Sequence, residues 1–275
     1  MDDVSTLGIF FMSMAAGGLG SMCGLGGGIF LVPLFSVLLG VPLKIAIAAS
    51  AVSVVVNSLT GAGIYLRQKM VNVRLTLALQ ITTAIGALIG GLLVVFAPER
   101  VLQFVFAVIL YVMIFIMLRP TPIIEADDGS TDPYGFRGTY FDPSLSETVS
   151  YFPVRIRLGM FLSGIAGFIS GMLGVGGGPI KVPLMNGVMR LPVKAAVASS
   201  TYMVGMTASV SALIYYSSGL VDTRVAVPAV MGILLGAQVG SRLGTRAPAM
   251  LIRRVLIVIL IVLATVMFVE ALGLF

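Results

Sequence analysis

From Ser5 to Gly40 the chain is apolar for longer than one membrane crossing can use. A continuous helix over that stretch would run roughly 54 Å at 1.5 Å per residue, against a hydrocarbon core of about 30 Å. It has to be two elements. The place to divide it is Gly24–Gly28, because glycine loses the most backbone entropy on ordering and is a poor helix former. The same pattern returns at Gly174–Gly178, inside the run from Ile156 to Arg190. The two segments read GLGGGIFLVP (Gly24–Pro33) and GVGGGPIKVP (Gly174–Pro183), 150 residues apart. Inside a bilayer, non-helical backbone is tolerated only where protein covers it or where it lines a polar cavity. A duplicated break at membrane depth is therefore a candidate substrate site.

Composition supports a membrane setting without any motif. Of 275 residues, 58% are hydrophobic and 10% charged, where a soluble domain carries about 25% charged residues. The net charge of +6 is dispersed over short loops and is no nucleic-acid signature. The single cysteine, Cys23, cannot form an intrachain disulfide and reads as a small buried hydrophobe. The start, MDDVST, places acids where a signal peptide has a basic region, so the first apolar run is expected to be retained. The chain has no histidine. Ser-His and Cys-His catalysis, His-ligated metals and imidazole proton relays are thereby excluded. The expectation is no enzyme, no cofactor and no metal.

Further apolar runs cover Leu43 to Leu66, Leu75 to Ala97 and Val101 to Leu118, then Val193 to Tyr216, Val225 to Leu243 and Ala249 to Leu274. Residues 119–153 are acidic, proline-containing and Ser/Thr-rich, and read as a polar cytoplasmic linker with little periodicity to support a fold of its own. The chain thus divides into 1–118, 119–153 and 154–275. An ungapped offset of 150 matches the glycine triplets, Pro33 with Pro183, Lys44 with Lys194, Ser50 with Ser200, Tyr65 with Tyr215, Gly86 with Gly236 and Gly90 with Gly240. So long a register means duplication. If each broken segment crosses twice, or enters and returns, each half has an odd number of crossings and the repeats are inverted. Arg67, Lys69, Arg74, the linker, Arg190, Lys194, Arg242, Arg246, Arg253 and Arg254 then share one side, which satisfies the positive-inside rule. The expected fold is an all-α polytopic membrane protein of two inverted-topology repeats, each a helix broken or re-entrant at G-x-GGG followed by three spans, with both termini outside.

The candidate binding residues cluster at the breaks. Gly26, Gly27, Gly28, Gly176, Gly177 and Gly178 offer backbone N–H groups, and Pro179 suits the first turn of a new helix. The alternative is that these glycines serve close helix packing. Lys181 follows the second triplet, where the first half has Leu31; an intramembrane charge is a functional hypothesis, and snorkelling to an interface is the competing reading. Ser50, Ser53, Asn57 and Gly61 share a helical face, as do Ser200, Thr207 and Ser211, either as a hydroxyl and amide lining for an oxyanion or as packing glue. Gly86-x-x-x-Gly90 and Gly236-x-x-x-Gly240 read as packing faces, Gln80 and Gln238 as weak candidates to border the cavity, and Tyr65 and Tyr215 as interface anchors. No acid falls mid-span, which favours facilitated export or a substrate that carries its own proton.

At these residues the chain resembles the TauE/SafE family of sulfite exporters, within the toluene-sulfonate uptake permease group. The matching features are the duplicated G-x-GGG-x-x-x-VP segments at Gly24–Pro33 and Gly174–Pro183 and the Pro-x-Lys-x-Ala segments at Pro42–Ala46 and Pro192–Ala196. The resemblance implies a multi-pass cell-membrane transporter (of the inner membrane in a bacterium) for small sulfur-containing oxyanions such as sulfite or organosulfonates. Its expected partners are that small anion and the lipid bilayer, with no nucleic acid; oligomeric state is left open. A permease for an amino acid or carboxylate and a non-transporting scaffold are the other readings.

Overall fold

In the computed structural model the described residues are 6–118, 135–142 and 147–244, with 257–258, 261–262, 264–266 and 268–269. The helices are α1 (Thr6–Cys23), α2 (Gly28–Pro33), α3 (Leu43–Arg67), α4 (Val73–Phe96), α5 (Glu99–Leu118), α6 (Ile156–Leu173), α7 (Gly178–Pro183), α8 (Val193–Ser217) and α9 (Thr223–Gly244). The bounds of α6, α7 and α8 are those of α1, α2 and α3 shifted by 150. Six helices, α1, α3, α4, α6, α8 and α9, are long and apolar enough to cross a membrane. Most of the last expected span, Ala249 to Leu274, lies outside the described residues. Where it is described it meets α5, with Tyr111 Oη 3.4 Å from Thr265 Oγ1 and the rings of Phe104 and Phe268 6.3 Å apart.

The breaks fall where glycine places them. Gly24, Gly26 and Gly27 have φ of 72, 78 and 79°, and Gly174, Gly176 and Gly177 have 65, 75 and 76°. These are left-handed conformations that a side chain would strain, so neither α1 nor α6 can continue through them. The short helices α2 and α7 each end on a proline and pass into one π-helical turn, Leu34–Leu38 and Leu184–Val188. Proline has no N–H for the i−4 carbonyl, and a widened turn is a usual way to absorb that loss. From Gly28 to Leu38 the chain advances only about 16 Å if helical, too little to cross a bilayer alone. In the second half the chain comes back beside its own start. Val154 N–H donates to Met189 O at 3.0 Å, and a Cβ on Gly159 would lie 2.6 Å from Met189 Sδ.

Packing joins the two halves rather than separating them. α1 lies along α9, and α4 along α6, each pair parallel: Phe10, Met14 and Gly18 face Gly232, Gly236 and Gly240, while Gly86 and Gly90 face Gly164 and Phe168. A methyl on Gly86, Gly90, Gly236 or Gly240 would run into a neighbouring backbone carbonyl. These are packing faces, as their spacing implied. The central pair is antiparallel, because Gly61 meets Thr201, Ser58 meets Gly205, and Ser58 Oγ donates to Thr201 O.

Two sequence expectations are corrected here. Tyr65 and Tyr215 are not interface anchors. Both are buried, and their hydroxyls donate to Ser21 O (3.0 Å) and Gly171 O, equivalent positions in the two halves. The linker also has a fold: β1 (Gly138–Asp142) and β2 (Glu147–Tyr151) form an antiparallel hairpin with Gly138 opposite Tyr151. The hairpin side bridges α4 and α8. Asn72 caps α4 by accepting from Leu75 N–H, and its Nδ2 donates to Phe136 O just before β1 at 2.7 Å. Lys194, in the first turn of α8, pairs with Asp142 at 2.6 Å. Residues 119–134 lie outside the described residues.

Candidate functional site

The two glycine breaks meet at the centre of the molecule, backbone to backbone. A Cβ on Gly28 would lie 2.8 Å from Val175 Cα, and one on Gly178 would lie 2.7 Å from Leu25 Cα. The side chains of Val54 and Val204 cover both Gly26 and Gly176. Ser50 Oγ donates to Gly174 O at 3.1 Å, and Ser200 Oγ returns the bond to Gly24 O at 3.0 Å. Each serine therefore ties its own half to the break of the other. A buried hydroxyl-to-carbonyl bond contributes about 1 kcal/mol net, and leaving its partner unsatisfied costs more. Among the described residues, none of the amides of Gly26–Gly28 or Gly176–Gly178 donates to a backbone carbonyl.

Lys181 stands beside this junction, one turn into α7. Its side chain is fully buried. Nζ donates to Thr207 Oγ1 of α8 at 2.7 Å and to Gly176 O at 3.2 Å. Gln80 of α4 donates through Nε2 to the same Thr207 hydroxyl at 3.3 Å. Thr207 spends its one proton on Met203 O at 2.9 Å, so it can only accept from the other two. Ser170 lines the stem, since a Cβ on Gly177 would touch both Ser170 Cβ (3.1 Å) and Lys181 Cε (3.2 Å). Two polar atoms of this group, Gln80 Oε1 and Ser170 Oγ, are buried with no partner. Lys181 of α7 and Thr207 of α8, from the second half, and Gln80 of α4, from the first, therefore bring together one cation, one hydroxyl and one amide.

The first half builds a different, uncharged cluster at the matching place. Asn57 occupies the position of Thr207, and its Oδ1 accepts from Ser21 Oγ at 2.7 Å. Asn57 Nδ2 and Ser53 Oγ are buried with no partner. Leu31, fully buried, takes the place of Lys181. Of the residues expected from sequence, Lys181 and Thr207 are in direct contact with each other, and Lys181 reaches the Gly176 carbonyl. Ser50 and Ser200 are occupied in joining the breaks. Ser53 and Asn57 belong to the uncharged cluster of the first half.

Gln80 proves to be a central member, while Gln238 is exposed. Ser170 went unnoticed in the sequence. The only signal that could have found it is its departure from Gly20, its match at the 150-residue offset. Among the described residues no group of His, Cys, Asp or Glu is placed to hold a metal.

Six apolar spans, paired breaks and a buried polar group at their junction define a multi-pass membrane transporter. The model of the sulfite exporter TauE/SafE family matches residues 9–267, nearly the whole chain, and the protein belongs to that family. The probable membrane transporter protein YunE of Bacillus subtilis is 26% identical over 262 residues, covering 90% of this chain and 93% of YunE. The probable membrane transporter protein MJ0441 of Methanocaldococcus jannaschii is 24% identical over 252 residues, 86% of each chain. A shorter stretch of 94 residues is 37% identical to the probable membrane transporter protein MamO of Magnetospirillum gryphiswaldense, covering 15% of that relative. No solved structure matches the chain.

Proposed function

We propose that this transporter moves small sulfur-containing oxyanions, such as sulfite or organosulfonates, across the cell membrane. The observation that carries the reading is Lys181. It is a fully buried cation with two hydrogen bonds and no carboxylate partner among the described residues. Removing an unpaired ammonium from water costs several kcal/mol even after relaxation, and an anion in contact with it supplies the missing countercharge. The substrate lies against Lys181 Nζ, with Gln80, Ser170 and the amides of Gly176–Gly178 as further polar contacts. Ser53, Asn57 and the amides of Gly26–Gly28 form the related half of the path.

The repeats are inverted in the bilayer, with both termini outside and the hairpin in the cytoplasm. Support comes from the antiparallel packing of the equivalent helices α3 and α8, and from the return of the second half to its own start. Transport then proceeds by alternating access, with α1/α9 and α4/α6 moving as pairs about the α3/α8 centre. The hairpin contacts to Asn72 and Lys194 close the cytoplasmic side.

The test is anion flux in proteoliposomes. Lys181→Ala removes the cation, and Gly177→Val places a β-branched residue at φ 76°. Sulfite or sulfonate flux unchanged in both variants would defeat the site assignment.

A further inference from the structure

We infer that the substrate is bound as a singly charged oxyanion that still carries a proton donor, and not as the fully deprotonated dianion. This rests on the sulfur-oxyanion reading above and adds the protonation state. Two features of the Lys181 group carry it.

The first is charge. Among the described residues one ammonium reaches the site, and Thr207 and Gln80 add no charge. The elements packed against α7 or reaching the site bring no second charge to Nζ. Their titratable and charged groups are Lys194, Tyr202, Tyr215 and Tyr216 on α8, Arg157 on α6, Arg74 on α4, and Glu99, Arg100 and Tyr111 on α5. None of these bonds to Lys181, and the basic ones begin their helices, away from the junction. A monoanion neutralises the buried charge; a dianion leaves one negative charge uncompensated in a low-dielectric interior, the costlier state.

The second is the Gln80 acceptor. Its Nε2 faces Thr207, whose hydroxyl donates to Met203 O and accepts from the amide. In this orientation Oε1 is buried with nothing to accept from. Lys181 and Gln80 meet on one hydroxyl, so Oε1 and Nζ border the same small volume. A ligand that contacts both needs an acceptor oxygen for the ammonium and a donor for the amide. A hydrogensulfite-type monoanion has both. A dianion offers only acceptors, and would leave Oε1 repelling it.

The experiment uses the full chain in proteoliposomes, with initial rates of labelled sulfite flux measured across the pH range in which hydrogensulfite loses its proton. Methanesulfonate, a monoanion with no donor and no ionisation in that range, is the comparison. Half-saturation expressed as total sulfite is expected to rise about tenfold per pH unit once the dianion dominates, while that for methanesulfonate stays flat. Gln80→Met, which keeps the shape and removes the acceptor, is expected to cut the preference for sulfite over methanesulfonate at acidic pH by about tenfold. A sulfite half-saturation that is flat with pH, or that improves as the dianion forms, overturns the inference and assigns Oε1 to an ordered water. No flux of either anion at any pH overturns the sulfur-anion reading itself.

Discussion

Residues 24–33 and 174–183 form the same left-handed turn and the same six-residue helix, yet only the second carries a charge. The positions that agree between the halves hold the frame together: the glycines of the breaks, Ser50 with Ser200, Tyr65 with Tyr215, and the Gly-x-x-x-Gly faces. The positions that differ are Leu31 against Lys181, Asn57 against Thr207, Gly20 against Ser170 and Val230 against Gln80, and together they make up the polar group. Duplication built the scaffold, and departures from it built the chemistry. A second difference lies at the start of the equivalent helices α3 and α8: Lys194 pairs with Asp142 of the hairpin, whereas its equivalent Lys44, among the described residues, donates to Val95 O at 3.1 Å.

The largest effect should come from making the halves alike. Lys181→Leu is expected to reduce anion flux at least about thirtyfold, the scale of removing one member of a desolvated charge contact. Adding Leu31→Lys to that variant should not restore it, because Gln80 is matched at the 150-residue offset by Val230, which offers no amide; recovered flux would show that the halves are interchangeable. Next, Gly86→Val and Gly236→Val should lower the melting temperature to a similar extent, each by about 1–3 kcal/mol or more of stability, since each drives a side chain into the partner helix backbone. Unequal loss would mean that the two parallel pairs do not share their packing.

Asp142→Asn should cost about 1–2 kcal/mol, from a pair whose side chains are 5% and 24% exposed, and Lys44→Met less than that. Thermal unfolding in detergent measures both. The smallest effect is alkaline. Burial holds the phenols of Tyr140 and Tyr151 up at about 12, from 10.0. Because the folded hairpin keeps protons that the open one releases, its stability is intact below pH 10 and falls between 10 and 12. Phenolate absorbance compared with Tyr151→Phe reads that opening.

The helices and breaks were legible because membrane depth leaves few options for an apolar run and for a glycine triplet inside one. The hairpin was not, since GTYFD and ETVSY lack a run of apolar residues and are fixed instead by Asn72 and Lys194 from distant parts of the chain. Lys181 stood out by its charge alone. Thr207 could be placed on its face, but the contact between them depends on how α7 leans on α8, which spacing does not encode. Tyr65 and Tyr215 were misread because tyrosine near a span end has two physical uses, and only the tertiary partner decides between the belt and a buried carbonyl.

The parallel pairing of α1 with α9 has a consequence for how the molecule is made. Synthesis delivers α1 first, but the surface it packs on is translated roughly 200 residues later. Until then Gly17 and Gly18 face lipid or a temporary neighbour. α4 waits a shorter interval for α6, so that pair can close while α9 is still being made. The later-formed seam is therefore the one an insertion factor has to keep open, and the one that a slowed or truncated translation product would leave exposed.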